Sequence, residues 1–189
     1  MGYAIAAAAL ESDHEVVLIS GPVNLAPPAG AKLVSVITSD DMHGAVHEEV
    51  RDCDVLVMSA AVSDYKPARV AKAKIKKRDE NFSLDLIPAR DILKSLPRSR
   101  NFFVVGFAAE TNDVEGHARA KLATKNCDMI VANDVTDPTI GMESDENAVT
   151  IFWRNGEIEK ISRASKKIIA RTLVKKICAD VKKVLTKNF

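Results

Sequence analysis

The residues with the clearest chemical potential lie between Val55 and Lys77, in the stretch VLVMSAAVSDYKPARVAKAKIKK. Its apolar start, Val55 to Met58, has the composition of a buried strand in a parallel sheet. Ser59, Ala60 and Ala61 follow, small enough for a ligand to lie against the backbone. Asp64 comes next, then Lys66, Arg69, Lys72, Lys74, Lys76 and Lys77. Small residues, an acid and clustered cations at a strand's end suit a polyphosphate at the carboxyl edge of an open α/β sheet. A solvated basic loop is the plainer reading of the same charges.

A second segment repeats the logic. Gly106-Phe107-Ala108-Ala109-Glu110-Thr111 ends an apolar run with small residues, one aromatic and one acid. Phe107 suits either stacking on a ring or burial in the core. Lys121 and Lys125 stand four apart on one helical face, so both can reach one anion; cations that complement a helix C-terminus would look the same. Asn133-Asp134-Val135 again puts polar residues at a strand's end. His43 and His47 are also four apart, but Gly44 stands where the zinc-protease motif requires glutamate. A solvated helix face accounts for that pair better than a metal site.

The elements that must position these groups follow a regular rhythm. Met1 to Glu11 is an alanine-rich helix, apolar over most of its surface, which should pack against a sheet. It lacks the preceding strand and turn that such a helix normally follows. Glu15–Ser20 and Lys32–Ile37 read as strands, joined by a Pro/Gly loop. A helix capped by Ser39 or Asp40 runs to about Arg51. After the strand at Val55, Asn81–Ile87 alternates as a half-exposed strand; with the lysine loop it forms an arm over residues 66–88, and pairing with a second subunit would cover its edge. Pro88 to Asp91 turns into a short helix. Asn101–Ala109 is a strand, Asn112–Lys125 a helix, and Met129–Ala132 a strand. Ala148–Trp153 and Glu157–Ile161 form a hairpin about Asn155-Gly156, with Trp153 its apolar anchor. Ser165 caps a last helix to about Leu185. Alternating strands and helices predict an α/β fold with a mostly parallel sheet.

The 189 residues predict one domain, 47% hydrophobic and 28% charged, with net charge +1. The balanced charge argues against general attraction to nucleic acid or membranes. No apolar run approaches the ~20 residues of a membrane span. Cys53, Cys127 and Cys178 show no CxxC pattern and read as reduced thiols of a cytoplasmic protein. No GxGxxG follows a strand, which disfavours a nicotinamide-dependent oxidoreductase.

Several segments together resemble the phosphopantothenoylcysteine synthetase (phosphopantothenate–cysteine ligase) family, the C-terminal domain of the bacterial bifunctional coenzyme A biosynthesis flavoprotein. They are SAAVSDYKPARVAKAKIKK, Arg90 to Leu93, GFAAET at Gly106 to Thr111, the Arg119, Lys121, Lys125, Asp128 and IVANDV pattern, and the Ser144-Asp145 and Asn147 turn. The resemblance implies a Rossmann-like fold with helices on both faces, a homodimer, and a CTP-dependent ligase that needs Mg²⁺ and joins 4′-phosphopantothenate to cysteine through an acyl-cytidylate. It implies that Lys74 closes over the nucleotide phosphates as the catalytic lysine. Met58, Ser59 and Ala60 would contact the nucleotide by backbone, beside Asp64. Arg90, Asp91, Ile92, Leu93, Phe107, Lys121 and Lys125 would line the nucleotide site, and no residues are assigned to a protein-held metal. Where the family usually reads Asn-Pro-Asp-Ile-Leu, this chain has Ala89-Arg90-Asp91-Ile92-Leu93. Family members also carry a first strand and a Gly/Ser-rich segment ending Ser-Gly-Lys-Met-Gly; Met1 and Gly2 match its last two letters. The expectation is therefore a ligase domain truncated at its N-terminus, without a decarboxylase domain and without FMN. The alternative is a nucleotide-binding or dimerisation module of the same fold whose catalysis is impaired.

Overall fold

A computed structural model describes residues 1–71, 73–77, 81–110, 113–134 and 144–186. In chain order its elements are α1 (Gly2–Leu10), β1 (Val17–Ser20), β2 (Lys32–Ser35), α2 (Ser39–Glu49), β3 (Val55–Met58), β4 (Tyr65–Pro67), β5 (Leu86–Pro88), β6 (Phe103–Glu110), α3 (Val114–Thr124), β7 (Met129–Asp134), β8 (Glu146–Trp153), β9 (Ile158–Ser165) and α4 (Lys166–Thr186). The main sheet has the order β3-β6-β7-β8-β9, while β1 pairs with β2 and β4 with β5. It is mixed: β3, β6 and β7 run parallel, and β8 and β9 add antiparallel strands at one side. Among the described residues, parallel pairing joins those three strands and the separate β1-β2 pair, as the alternation of strands and helices leads one to expect.

Strand alternation divides the core in two. Val104, Ala108, Ile130 and Ala132 face α2 and α3, where they meet Met42, Val46, Ala118 and Leu122. Val105, Met129, Val131, Val149 and Ile151 face the other way, onto Ile5, Ala8, Ile169 and Leu173 of α1 and α4. The alanine-rich α1 thus packs against both sheet and helix. Its C-terminal end is tied to α4 through Glu11 and Arg171, 2.7 Å apart, and through Cys178 Sγ, 3.1 Å from His14 Nε2.

Local chemistry sets the element ends. Thr38, rather than Ser39 or Asp40, caps α2: its hydroxyl accepts from the Asp41 N–H at 3.1 Å, and the Asp41 carboxylate accepts from the Thr38 N–H at 2.9 Å. Satisfying two otherwise orphaned N–H groups at once favours this reciprocal pair. Thr38→Ala is expected to lower stability by about 0.5–2 kcal/mol, read as a shifted urea midpoint with unchanged slope. Ser165 caps α4 as expected, its hydroxyl accepting from the Ile168 N–H. The short helix expected after Asp91 is a single turn, Ser95 N–H to Asp91 C=O at 3.0 Å, with Pro97 ending it. The arm strand is Leu86–Pro88 instead of Asn81–Ile87: β4 pairs with those three residues, and beyond them the Ala68 N–H donates to the Asp85 carbonyl at 2.9 Å. Phe82, Leu84 and Leu86 are more than half exposed on it. No helix among the described residues is long and apolar enough to cross a membrane.

Candidate functional site

The carboxyl ends of β3, β6 and β7 share one edge, because the three strands are parallel and in register from Met58 through Gly106 to Ile130. Ser59 and Ala60 leave that edge from β3. The start of α1 lies directly against them: a Cβ on Gly2 would stand 2.6 Å from Ser59 Oγ. Tyr3 Oη and Ser20 Oγ, 2.9 Å apart, tie the same helix to the end of β1. Small side chains therefore let a helix N-terminus, with its unpaired N–H groups, approach the end of β3.

Around this edge the expected residues fall into two groups. Asp64, Lys74 and Arg90 are exposed, Ser59 and Phe107 are half-buried, and Ala60 is open to solvent. Phe107 packs partly on the α1/α4 cluster. Lys66 of β4 bonds Asp40 at the start of α2. That bond, with Arg90 nearby, holds the Asp40 carboxyl below the usual carboxylate range despite some desolvation. Lys72, Thr111, Val135 and the beginning of the helix expected from Asn112 lie outside the described residues.

The second group occupies the α2/α3 face. Ile92 is 4% exposed and packs in the core, so any ligand contact it makes is through its backbone. Met58 and Leu93 pack beside it. Gly106 keeps this region close: a Cβ there would meet Ile130 Cδ1 at 2.7 Å, Cys127 Sγ at 3.2 Å and Leu93 Cδ1 at 3.5 Å. Because α3 runs back from the carboxyl edge, Lys121 and Lys125 sit toward its far end. Lys125 is bonded to Asp91, so two expected ligand contacts hold each other.

Burial works to raise the pKa of Asp91, but its bond from Lys125 and the N–H of Lys94 outweigh that, and the carboxyl titrates below its ordinary value. A depressed folded pKa gives stability that is present above the unfolded value of about 4 and lost as pH falls through the folded value. Comparing the parent with Asp91→Asn should show a stability difference that is constant above about pH 5 and shrinks below about pH 4. A pH-independent difference would sink this assignment.

His43 and His47 meet one oxygen instead of facing open water. Their Nε2 atoms lie 3.1 and 2.8 Å from the Ser95 hydroxyl, which itself donates to the Ile92 carbonyl at 2.7 Å. Burial, then His43 and Arg51, lower the pKa of His47. The pair braces the 92–95 turn. Among the described residues no group of three His, Cys, Asp or Glu side chains is placed to hold a metal ion. A hollow of about 380 Å³ lies away from the carboxyl edge, lined by Arg119, Leu122, Ala123, Asn126, Trp153 and Arg154. Its cations are committed to structure, Arg119 to Glu115 and Arg154 to Asp128 and the Cys127 carbonyl. Geometry favours the open carboxyl edge as the ligand site.

At that edge one feature escapes composition and charge. Asn147, 1% exposed, donates through Nδ2 to Asn133 Oδ1 at 3.1 Å. Its position two residues before Val149, on the apolar face of β8, was the available signal.

The sequence pattern of one domain family, the DNA/pantothenate metabolism flavoprotein C-terminal domain, matches residues 1–181. The chain belongs to that family. This is the phosphopantothenoylcysteine synthetase family whose motifs it resembles. It is 40% identical over 181 residues to the coenzyme A biosynthesis bifunctional protein CoaBC of Vibrio parahaemolyticus, covering 94% of this chain and 45% of that protein. To the CoaBC of Bacillus subtilis it is 42% identical over 181 residues, covering 95% and 45%. The chain thus spans less than half the length of these relatives. A crystal structure of the C-terminal domain of CoaBC superposes with a TM-score of 0.81 at 36% identity, over 96% of this chain and 82% of that one. The family fold is Rossmann-like, and the layers described above are its layers.

Proposed function

We propose that this domain is a CTP-dependent phosphopantothenate–cysteine ligase of coenzyme A biosynthesis. One observation carries the reading: a small-residue edge, Ser59-Ala60, abuts the start of α1 and is followed directly by the exposed cations Arg69, Lys74, Lys76 and Lys77. In the first step a carboxylate oxygen of 4′-phosphopantothenate attacks the α-phosphorus of CTP, forms the acyl-cytidylate and expels pyrophosphate. The cysteine amine then attacks the acyl carbon, the bond to the CMP oxygen breaks, and the amine loses a proton.

The protein's share is placement and charge. Met58, Ser59 and Ala60 offer backbone to the nucleotide, beside Asp64. Phe107 offers a ring face, and Lys74, carried on the arm, neutralises the triphosphate. Arg90, Asp91, Ile92 and Leu93 wall the nucleotide, with Lys121 and Lys125 behind them; Asp91 must share Lys125 with any anion that arrives. Mg²⁺ would be carried by the triphosphate and would offset its charge, as suits an ion that keeps its waters and takes few protein ligands, with Asp64 the nearest carboxylate in sequence to the small-residue edge. The exposed apolar arm fits a homodimer interface, and the setting is the cytoplasm.

The test is release of CMP and pyrophosphate from purified protein given CTP, Mg²⁺, 4′-phosphopantothenate and cysteine. Both products should appear in equal amounts and only with the complete mixture. Nucleotide binding without product would favour a binding module, and no binding at all would overturn the reading.

A further inference from the structure

α2 carries His43 and His47 one turn apart on a shared face, with ring centroids 4.3 Å apart and planes tilted by 31°. Both rings present Nε2 to the Ser95 hydroxyl, at 3.1 Å from His43 and 2.8 Å from His47. That hydroxyl has one proton, which it donates to the Ile92 carbonyl at 2.7 Å. The imidazoles therefore meet its lone pairs, and each Nε2 carries the proton of its ring. One such bond is enough to hold a turn. Two imidazoles aimed at a single point also form a ligand set.

The spacing suits a metal ion. With bonds of ~2.0–2.1 Å to imidazole, ligands at right angles around a cation stand about 2.9 Å apart. The nitrogen-to-oxygen separations of 2.8 and 3.1 Å are edges of that size. Moving each ring proton from Nε2 to Nδ1 exposes the two lone pairs and leaves the rings in place. The support is firm: Met42 and Val46, each one residue before a histidine, are buried and fix which face of α2 the pair occupies. Access is open, because Ser95 and Gly44 are exposed and a Cβ on Gly44 would meet nothing within 4 Å. Nearby charge is mixed. Asp40, on the His43 side, is already bonded to Lys66, and Arg51 acts on His47. Coordination by nitrogen, rather than net charge, has to hold the ion.

We propose that His43 and His47 chelate a divalent cation of the Zn²⁺, Ni²⁺ and Cu²⁺ class through their Nε2 atoms, beside the Ser95 hydroxyl and with water in the remaining positions. Imidazole suits these ions, whereas Mg²⁺ takes oxygen ligands. Two protein nitrogens are fewer than the three ligands of a catalytic zinc site, so the ion exchanges with solvent. This chemistry is separate from the ligase reading, in which Mg²⁺ travels with the triphosphate.

The imidazole nitrogen signals of the ¹⁵N-labelled full chain, followed by NMR as Zn²⁺ is added, test this residue by residue. The Nε2 signals of His43 and His47 should shift together at one Zn²⁺ concentration, and Mg²⁺ should move neither. His14, beside Cys178 Sγ at 3.1 Å, is the rival thiol-imidazole pair, and its own signal keeps the two sites apart. His43→Gln and His47→Gln each keep a side-chain N–H for Ser95 and lose an imidazole ligand. In either variant the remaining histidine should need roughly tenfold or more Zn²⁺. Should a variant lose its thermal transition, the parent's signals still decide. Nε2 signals that ignore Zn²⁺, or that shift at unrelated concentrations, overturn the proposal. A folded glutamine variant whose remaining histidine responds like the parent's overturns it as well.

Discussion

Asp128→Asn should cost about 3–5 kcal/mol of stability, the range for removing one partner of a buried ion pair. Asp128 lies just before β7 and gathers three donors: Arg100 Nη2 at 2.7 Å, the Val104 N–H at 2.8 Å, and Arg154 Nη2 at 3.5 Å. The Arg100 side chain is only 6% exposed, and its Nε has no hydrogen-bond partner among the described residues. Without the carboxylate, its remaining support is the neutral amide oxygen in place of Oδ2, the Asn126 carbonyl at 2.6 Å and the Phe102 ring at 5.8 Å. None of these carries a full negative charge, so the charge of a desolvated guanidinium would remain uncompensated. The asparagine can still accept from Val104, which keeps the β6-β7 register and isolates the charge effect. Denaturant midpoints with an unchanged slope give the measurement. A loss below about 1 kcal/mol would mean that Arg100 swings out to water at little cost, and that Asp128 is not the anchor of this corner.

Lys74→Ala should lower kcat/KM for CTP by about 10²–10³-fold, the usual cost of removing one donor aimed at developing charge. The side chain is exposed and makes no ion pair among the described residues, so thermal stability should not change. That separation makes the variant informative: rate falls while the fold stays intact. Lys76→Ala serves as the control, with a small effect expected if position and not summed charge decides. Equal losses from both variants would reduce the arm to a diffuse positive field, whose effect would fade with salt. A parent-like Lys74→Ala enzyme would remove Lys74 from the mechanism.

What is legible in the sequence is what local pattern dictates. Val55–Met58 and Met129–Ala132 read as strands because continuous apolar runs of that length have few other uses in a layered α/β core. The hairpin is announced by Asn155-Gly156, and Gly156 does take φ +93°. Less visible is anything decided by a partner distant in the chain. Lys121 and Lys125 share a helical face, but nothing in their spacing shows that Asp91 holds Lys125. His43 and His47 likewise converge on Ser95, 52 and 48 residues away. Thr38 wins the cap because Asp41 answers it three residues later, a reciprocity overlooked when single residues are compared. Asn147 lies within a readable alternation, yet its meaning depends on β7 delivering Asn133 beside it.

The union of α1 with α4 also bears on how the chain is made. The strands of the main sheet follow one another closely enough to assemble as they emerge, but Ile5 and Ala8 find Ile169 and Leu173 only after some 160 further residues have been joined. At about 5–20 residues per second that interval lasts roughly ten to thirty seconds. For that time an apolar helix stands at the ribosome's exit with half of its cover still unwritten. Slowing elongation between β9 and α4 would prolong the exposure, while a chaperone holding α1 would shorten its consequences.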